Sequence, residues 1–130
     1  MGSELSTDPG APDLRFRGRT YAISFDRVWM AALELAGGGL RGWKVVHAND
    51  VEGALQAEAS VGLPRHVSDV RIRIGLDRDG QTRVDLSIVT RAGSIDLGGN
   101  RRQLRGFLSA LDRKLAATPA QILDASRSAS

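Results

Sequence analysis

The sequence predicts a single α+β domain in which two helices pack on one face of a twisted antiparallel sheet. Two stretches carry apolar residues at helical spacing, and others alternate apolar with polar residues as half-buried strands do. Gly-rich breaks separate these stretches. The predicted order is a strand, a helix, four antiparallel strands and a helix. At 130 residues, with 42% hydrophobic and 25% charged residues, the chain is long enough for one real core.

The domain itself is predicted to cover residues 19–117. Residues 1–18 mix Gly, Pro, Ser, Asp and Arg without a period, which indicates a flexible N-terminal arm. A first strand follows at 19–23. Residues 118–130 are rich in Ala and Ser and are expected to be a flexible C-terminal tail, in which Ile122 and Leu123 are the residues able to dock.

The first helix is expected to begin after Ser24, a favourable N-cap residue. Apolar residues recur on one helical face from Phe25 to Ala36. Three consecutive glycines, 37–39, then end the helix, because glycine accepts the left-handed cap conformation without a steric penalty. Trp29 lies on the apolar face and is interpreted as an anchor of the core.

Two short strands are predicted at 43–48 and 54–60, the second with alternating small apolar and polar residues. Residues 61–68 are interpreted as an irregular segment, because Pro64 does not fit a central strand. His66 in this segment has no carboxylate or nucleophile beside it in the sequence, so it is interpreted as solvated rather than catalytic.

The next hairpin allows its register to be predicted. Apolar residues alternate over 70–76 and again over 84–88. Both apolar sets share one face if a three-residue loop, with Gly80 in the left-handed position, joins the strands. This register places Ile74 opposite Val84. On the other face it places Arg73 opposite Asp85, where we expect an exposed cross-strand ion pair.

The closing helix is predicted to start near Asn100, with Asn100 as N-cap and Gln103 completing a capping box. An apolar stripe of leucines and Phe107 faces the core. The opposite side of the helix is strongly basic, and Arg101 and Arg102 begin it.

Several kinds of site are not expected. The chain has no cysteine, and its two histidines are far apart in sequence, so neither a metal nor another cofactor is predicted. A net charge of +3 with only 5% aromatic residues does not indicate nucleic-acid binding. No apolar run is long enough to span a bilayer. No signal peptide is visible, so the location is cytoplasmic as the sequence stands, or the cell envelope if an export segment has been removed.

The corner between the last strand and the last helix is the candidate site. Its residues are Arg91, Gly93, Asp96, Gly98, Gly99 and Asn100. In a structural interpretation, Gly93 and Gly98 supply special backbone angles, Asp96 accepts backbone N–H groups or pairs with Arg91, and Asn100 caps the helix. In a functional interpretation, Gly98 and Gly99 form a nest of N–H groups that binds an anion or a partner, flanked by Arg91, Arg101 and Arg102. No catalytic triad, carboxylate pair or phosphate-binding loop accompanies the corner.

The Arg-x-Gly-x-x-Asp-x-Gly-x-Asn spacing from Arg91 to Asn100 resembles the signature of domain-of-unknown-function family 1499, found in bacteria and plastids. The resemblance extends from about Tyr21 to Leu115. The chain departs from the family pattern at Ser87–Ile88, where relatives have an Arg-Ser pair, and at Gln103, where they have Arg. The resemblance implies the fold, and it assigns no activity.

The function expected from these observations is that of a non-enzymatic module that binds a partner protein or an anionic ligand. The alternative is a helix-grip-like carrier that holds a small apolar or lipid-like ligand between the sheet and the closing helix. A pocket of roughly 300 Å³ would favour the carrier, and a space filled by Trp29, Leu108 and Leu111 would not. The sequence leaves the oligomeric state open.

Overall fold

The computed structural model describes residues 4–8, 10–11, 16–61, 66–91 and 97–123, and it confirms the predicted α+β domain. The strands and helices are, in order, β1 (Glu4–Ser6), β2 (Arg19–Tyr21), α1 (Phe25–Glu34), β3 (Trp43–Asn49), β4 (Ala54–Val61), β5 (His66–Leu76), β6 (Thr82–Thr90) and α2 (Leu97–Lys114). A π-helical turn, Leu35–Gly39, extends α1, and a short 3-10 helix, Pro119–Gln121, follows α2.

The sheet has six strands in the order β1-β6-β5-β4-β3, and β2 also pairs with β6. Every pairing is antiparallel. Along one edge of β6, β1 pairs with residues 87–89 and β2 pairs with residues 82–84. Two separate N-terminal segments therefore share a single edge of β6.

The hairpin of β5 and β6 has the predicted register. Ile74 lies opposite Val84, and Arg73 lies opposite Asp85. Gly80 has a φ angle of 77°, the left-handed conformation that the three-residue loop requires. Apolar alternation excluded a one-residue slip, which would move every apolar side chain to the other face, and the three-residue loop with Gly80 selected this register.

The core lies between one face of the sheet and the two helices. Inward-facing residues of the three longest strands are buried, namely Leu55, Ala57, Ala59, Val70, Ile72, Ile74, Val84, Leu86 and Ile88. Trp29 is only 6% exposed, which confirms it as a core anchor. Trp43 on β3 stacks on Phe107 of α2, with ring centroids 5.3 Å apart. Each fully buried Val, Leu, Ile or Phe side chain stabilises the fold by about 1.5–3 kcal/mol.

Both predicted limits of the first helix are confirmed. Ser24 is the N-cap residue, although its side chain makes no capping hydrogen bond, and its carbonyl accepts the N–H of Val28 at 3.1 Å. Gly38 has a φ angle of 126°, which ends the helical backbone within the three glycines.

The segments outside the predicted domain contain more structure than expected. Residues 4–6 of the expected arm form β1, which has no local sequence signal because its pairing partner lies on β6. Residues 118–123 of the expected tail return along β2, where Ile122 forms a bridge with Tyr21. The N–H of Leu123 bonds the carbonyl of Thr20 at 2.9 Å. Residues 124–130 lie outside the described part of the chain.

The predicted irregular segment 61–68 is shorter than expected. Val61 pairs with His66, and Ala59 pairs with Ser68, so β4 and β5 continue into the segment from both sides. Only residues 62–65, including Pro64, separate the strands, and they are not described. The ladder of β4 on β5 outweighs the local irregularity of the sequence.

Candidate anion-binding site on the open face of the sheet

The predicted corner is described only in part. Gly93 and Asp96 lie outside the described residues. Helix α2 begins at Leu97, so Gly98 and Gly99 belong to its first turn rather than to a loop before it. Asn100 lies inside the helix and is 2% exposed, and the predicted N-cap role is therefore wrong.

The side chain of Asn100 connects the start of α2 to the sheet. Its Nδ2 donates to Oγ1 of Thr90 at 2.8 Å, and its Oδ1 accepts from Oγ of Ser68 at 3.2 Å. All three residues are buried, where unpaired polar groups would be costly. Asn100 thus fixes the helix onto β5 and β6.

Gln103 does not complete a capping box either. Its Oε1 accepts the indole N–H of Trp43 at 3.1 Å. Sequence spacing predicted a local bond within α2, but the partner lies on β3. The amide that was expected to cap the helix therefore attaches the helix to the far edge of the sheet.

Arg91 follows β6 and is engaged by two carboxylates. Its Nη2 and Nε donate to the Asp69 carboxylate at 2.9 and 3.2 Å, and the guanidinium also pairs with Glu58. Lys44 reaches the same Glu58, with Nζ and Oε1 3.4 Å apart. These four residues, which we call the ion cluster, combine two positive and two negative charges.

Contacts within the ion cluster shift the pKa values of Arg91 and Glu58. Hydrogen bonds to Asp69 and Glu58 raise the pKa of Arg91 above its ordinary value. The Arg91 guanidinium, with Lys44 as the weaker second donor, holds the pKa of Glu58 below its ordinary value, and partial burial opposes this only in part. Arg91 therefore serves a structural ion pair first, which leaves it poorly suited to an external anion.

Arg101 and Arg102 lie on the exposed side of the start of α2. The guanidinium carbon of Arg101 lies 5.8 Å from the centre of the Phe16 ring, which is a cation–π distance. Arg91 contacts β4 and β5, whereas Arg101 contacts the N-terminal segment. Arg91 and Arg101, which were predicted to flank one site, therefore contact different parts of the protein.

The outward face of the sheet carries a feature that the corner does not. Both helices cover the opposite face, and a groove of about 390 Å³ lies open on this one. Its lining comes from β1, β4, β5, β6 and the residue after β1: Ser6, Thr7, Ala54, Leu55, Gln56, Arg71, Ile72, Arg73, Asp85, Leu86 and Ser87.

Arg71 and Arg73 are the two cations of this groove. They alternate with buried residues on β5, so both guanidiniums project from the same face. Both side chains are exposed, and neither has an ion-pair partner among the residues that the structure describes. The groove therefore contains two adjacent positive charges that no described carboxylate balances.

The short neighbours of the two arginines create the groove. Arg71 lies between Gln56 and Ser87 in the ladder, and Arg73 lies between Ala54 and Asp85. Small side chains at 54 and 87 leave space above the strands. The sequence reveals the alternating arginines and, through the predicted hairpin, their neighbours on β6. Their neighbours on β4 follow only from the register of β4 on β5.

The expected ion pair of Arg73 with Asp85 is wrong, although the two residues lie opposite each other. Asp85 instead pairs with Arg83, with Nη2 and Oδ1 2.7 Å apart, and it accepts a hydrogen bond from Oγ1 of Thr7 at 2.8 Å. Arg83 lies two residues away on the same strand face, and Thr7 belongs to the segment that follows β1. A competing local cation and an unpredicted strand end thus leave Arg73 without this carboxylate.

The described residues contain no group of three or more metal-ligating side chains. His66 lies at the start of β5 opposite Val61, and His47 lies on β3 opposite Gln56. In the part of the chain that the structure describes, no helix is long and apolar enough to cross a membrane.

The space between sheet and helices is occupied by side chains. Trp29, Leu108 and Leu111 are all buried there, at 6%, 1% and 0% exposure. The groove on the open face, a second of about 380 Å³ beside Met30 and a third of about 290 Å³ beside Leu76 all open to solvent. This packing gives no support to the hypothesis of a ligand held between the sheet and α2.

The family model DUF1499, described as a protein of unknown function, matches residues 5–111. This span runs from β1 into α2 and includes the whole groove and the corner. No curated protein matches the chain.

Proposed function

This protein belongs to the DUF1499 family of proteins of unknown function, and we propose that it is a non-enzymatic binding module that holds a small anionic ligand on the open face of its sheet. The observation that carries the proposal is the pair of exposed guanidiniums of Arg71 and Arg73 in one groove. Arginine presents a planar fork of N–H donors that matches a carboxylate or a phosphate.

The surroundings of the pair favour a ligand of this class. Gln56 and Ser87 flank Arg71 and offer a neutral amide and a hydroxyl for additional hydrogen bonds. Asp85 also lines the groove, but Arg83 balances its charge. An anion in the groove therefore meets two cations and neutral donors, whereas an anion at Arg91 would meet Asp69 and Glu58.

The site lies on a rigid part of the fold. Arg71 and Arg73 belong to the central strand of the sheet, with β4 and β6 paired on either side over their whole length. A ligand site on paired strands needs no ordering of the backbone when the ligand binds, which lowers the cost of binding.

The test is a titration with inorganic phosphate and with succinate, followed by the backbone amide signals in NMR spectra. We expect saturable shifts of residues 56, 71, 73 and 87. These shifts should be lost in the double variant R71Q/R73Q. The matched control is R102Q/R113Q, which removes the same charge from the exposed side of α2, and it should bind as the wild type does.

Two outcomes would overturn the proposal. Shifts that map to Arg101 and Arg102 would place the anion at the helix start. An absence of any saturable shift, together with a protein that co-purifies in an R71Q/R73Q-sensitive manner, would make the open face a protein interface instead.

A further inference from the structure

The charged residues around the groove favour one kind of anion over others. This inference rests on the proposed function, that the groove binds an anion. We propose that the ligand is a compact dicarboxylate, with one carboxylate on Arg71 and the other on Arg73, rather than a polyanion or an acidic membrane surface.

The spacing of the two arginines determines how many anionic groups the ligand needs. Arg71 and Arg73 are alternate residues of one strand, so their Cα atoms are separated by about 6.5–7 Å. Each guanidinium has its own fork, and one carboxylate cannot satisfy both forks in the bidentate geometry. Two anionic groups joined by a short chain satisfy both.

The charges at the two ends of the groove determine how long the anionic ligand can be. Beyond Arg71 along β5 lies the ion cluster, whose two cations and two carboxylates balance. Beyond Arg73 lie the turns between β3 and β4 and between β5 and β6. In these turns the described charges are four carboxylates, Asp50, Glu52, Asp77 and Asp79, and the single cation Arg78.

A long anion would have to extend over one of these flanks. At the ion cluster it would gain no net attraction, and at the turns it would meet an excess of carboxylates. A ligand whose negative charges lie only over Arg71 and Arg73 avoids both the ion cluster and the acidic turns. The groove between Ala54 and Ser87 is open above this length, so the chain that joins the carboxylates has room.

The test is a comparison of malonate, succinate, glutarate and adipate with acetate, by the same amide shifts. We expect at least one dicarboxylate to bind about three- to fivefold more tightly than acetate, which is the gain that one further exposed ion pair provides. In R71Q and in R73Q, the affinity for that dicarboxylate should fall to the affinity for acetate. Polyaspartate and phosphatidylglycerol vesicles, at equal carboxylate or phosphate concentration, should bind more weakly than the best dicarboxylate.

The outcomes separate this inference from the proposed function. If acetate and all four dicarboxylates bind with equal affinity, and this binding is lost in R71Q/R73Q, the proposed anion site stands. The proposal that its ligand is a dicarboxylate is then overturned. Tighter binding of polyaspartate or of the vesicles would also overturn it. No saturable binding of any of these anions would overturn the proposed function itself. A thermal unfolding curve for each variant verifies that the sheet is intact.

Discussion

The indole nitrogen of Trp43 donates a hydrogen bond to Oε1 of Gln103 at 3.1 Å. Trp43 is 4% exposed and stacks on Phe107, so its N–H group has little access to water. This bond joins strand β3, at one edge of the sheet, to the helix that covers the core.

Replacing Gln103 with Ala should lower the free energy of unfolding by about 1–3 kcal/mol, because the buried indole N–H loses its acceptor. Urea denaturation measures the change. Q103E retains an acceptor at the same place and should lose less. If Q103E and Q103A lose the same amount, the hydrogen bond is not the cause.

Replacing Asn100 with Ser separates its observed role from that of a helix cap. Serine caps helices as well as asparagine does, but it is too short to bond both Ser68 and Thr90. N100S should therefore be destabilised by about 1–3 kcal/mol, since polar groups of the buried network lose their partners. Stability equal to that of the wild type would show that capping is the role after all.

Replacing Glu58 with Gln should remove a pH-dependent contribution to stability. Arg91 lowers the pKa of Glu58 in the folded protein. The carboxylate thus stabilises the fold above its unfolded pKa of about 4.3, and this contribution is lost as the pH falls through the lower folded value. The difference in stability between wild type and E58Q should be larger at pH 7 than at pH 3.

The control for this pH dependence is E52Q, which removes an exposed carboxylate from the turn between β3 and β4. Its difference from the wild type should change less between the two pH values. Added salt should reduce the effect of E58Q at pH 7, because the ion cluster is partly exposed.

Replacing Gly53 with Ala should destabilise the protein strongly. Gly53 has a φ angle of 67°, and a Cβ atom there would lie 1.8 Å from the carbonyl oxygen of Ile74. The left-handed backbone alone costs about 1–2 kcal/mol for a residue with a side chain, and the clash adds to it. G75A is the matched control, because a Cβ atom at Gly75 meets nothing within 4 Å. Equal melting temperatures for the two variants would contradict this account.

Local patterns were sufficient for the elements whose partners are close in sequence. The hairpin of β5 and β6 was predictable down to its register, because apolar alternation and Gly80 act over a few residues. The first helix was predictable because its cap and its glycine end are local signals. These predictions needed no knowledge of the rest of the fold.

The candidate site depended on partners distant in sequence. Gln103 and Asn100 have side chains that fit a cap equally well, and only the position of the sheet determines that they bond Trp43, Thr90 and Ser68 instead. Arg91 was predicted as a binding residue, but the pairing of β4 with β5 brings two carboxylates to it. The sequence shows the two arginines of the groove, but it does not show that no described carboxylate pairs with them.

The shared edge of β6 also orders the events of folding. Residues 4–6 and 19–21 are synthesised before their partners on β6, which follow only after most of the domain has been made. Because loop closure over such a distance is slow, the hairpin of β5 and β6 can form well before β1 and β2 join it. Until they join it, the newly made chain exposes an unpaired strand edge, the kind of surface on which nascent proteins associate with one another.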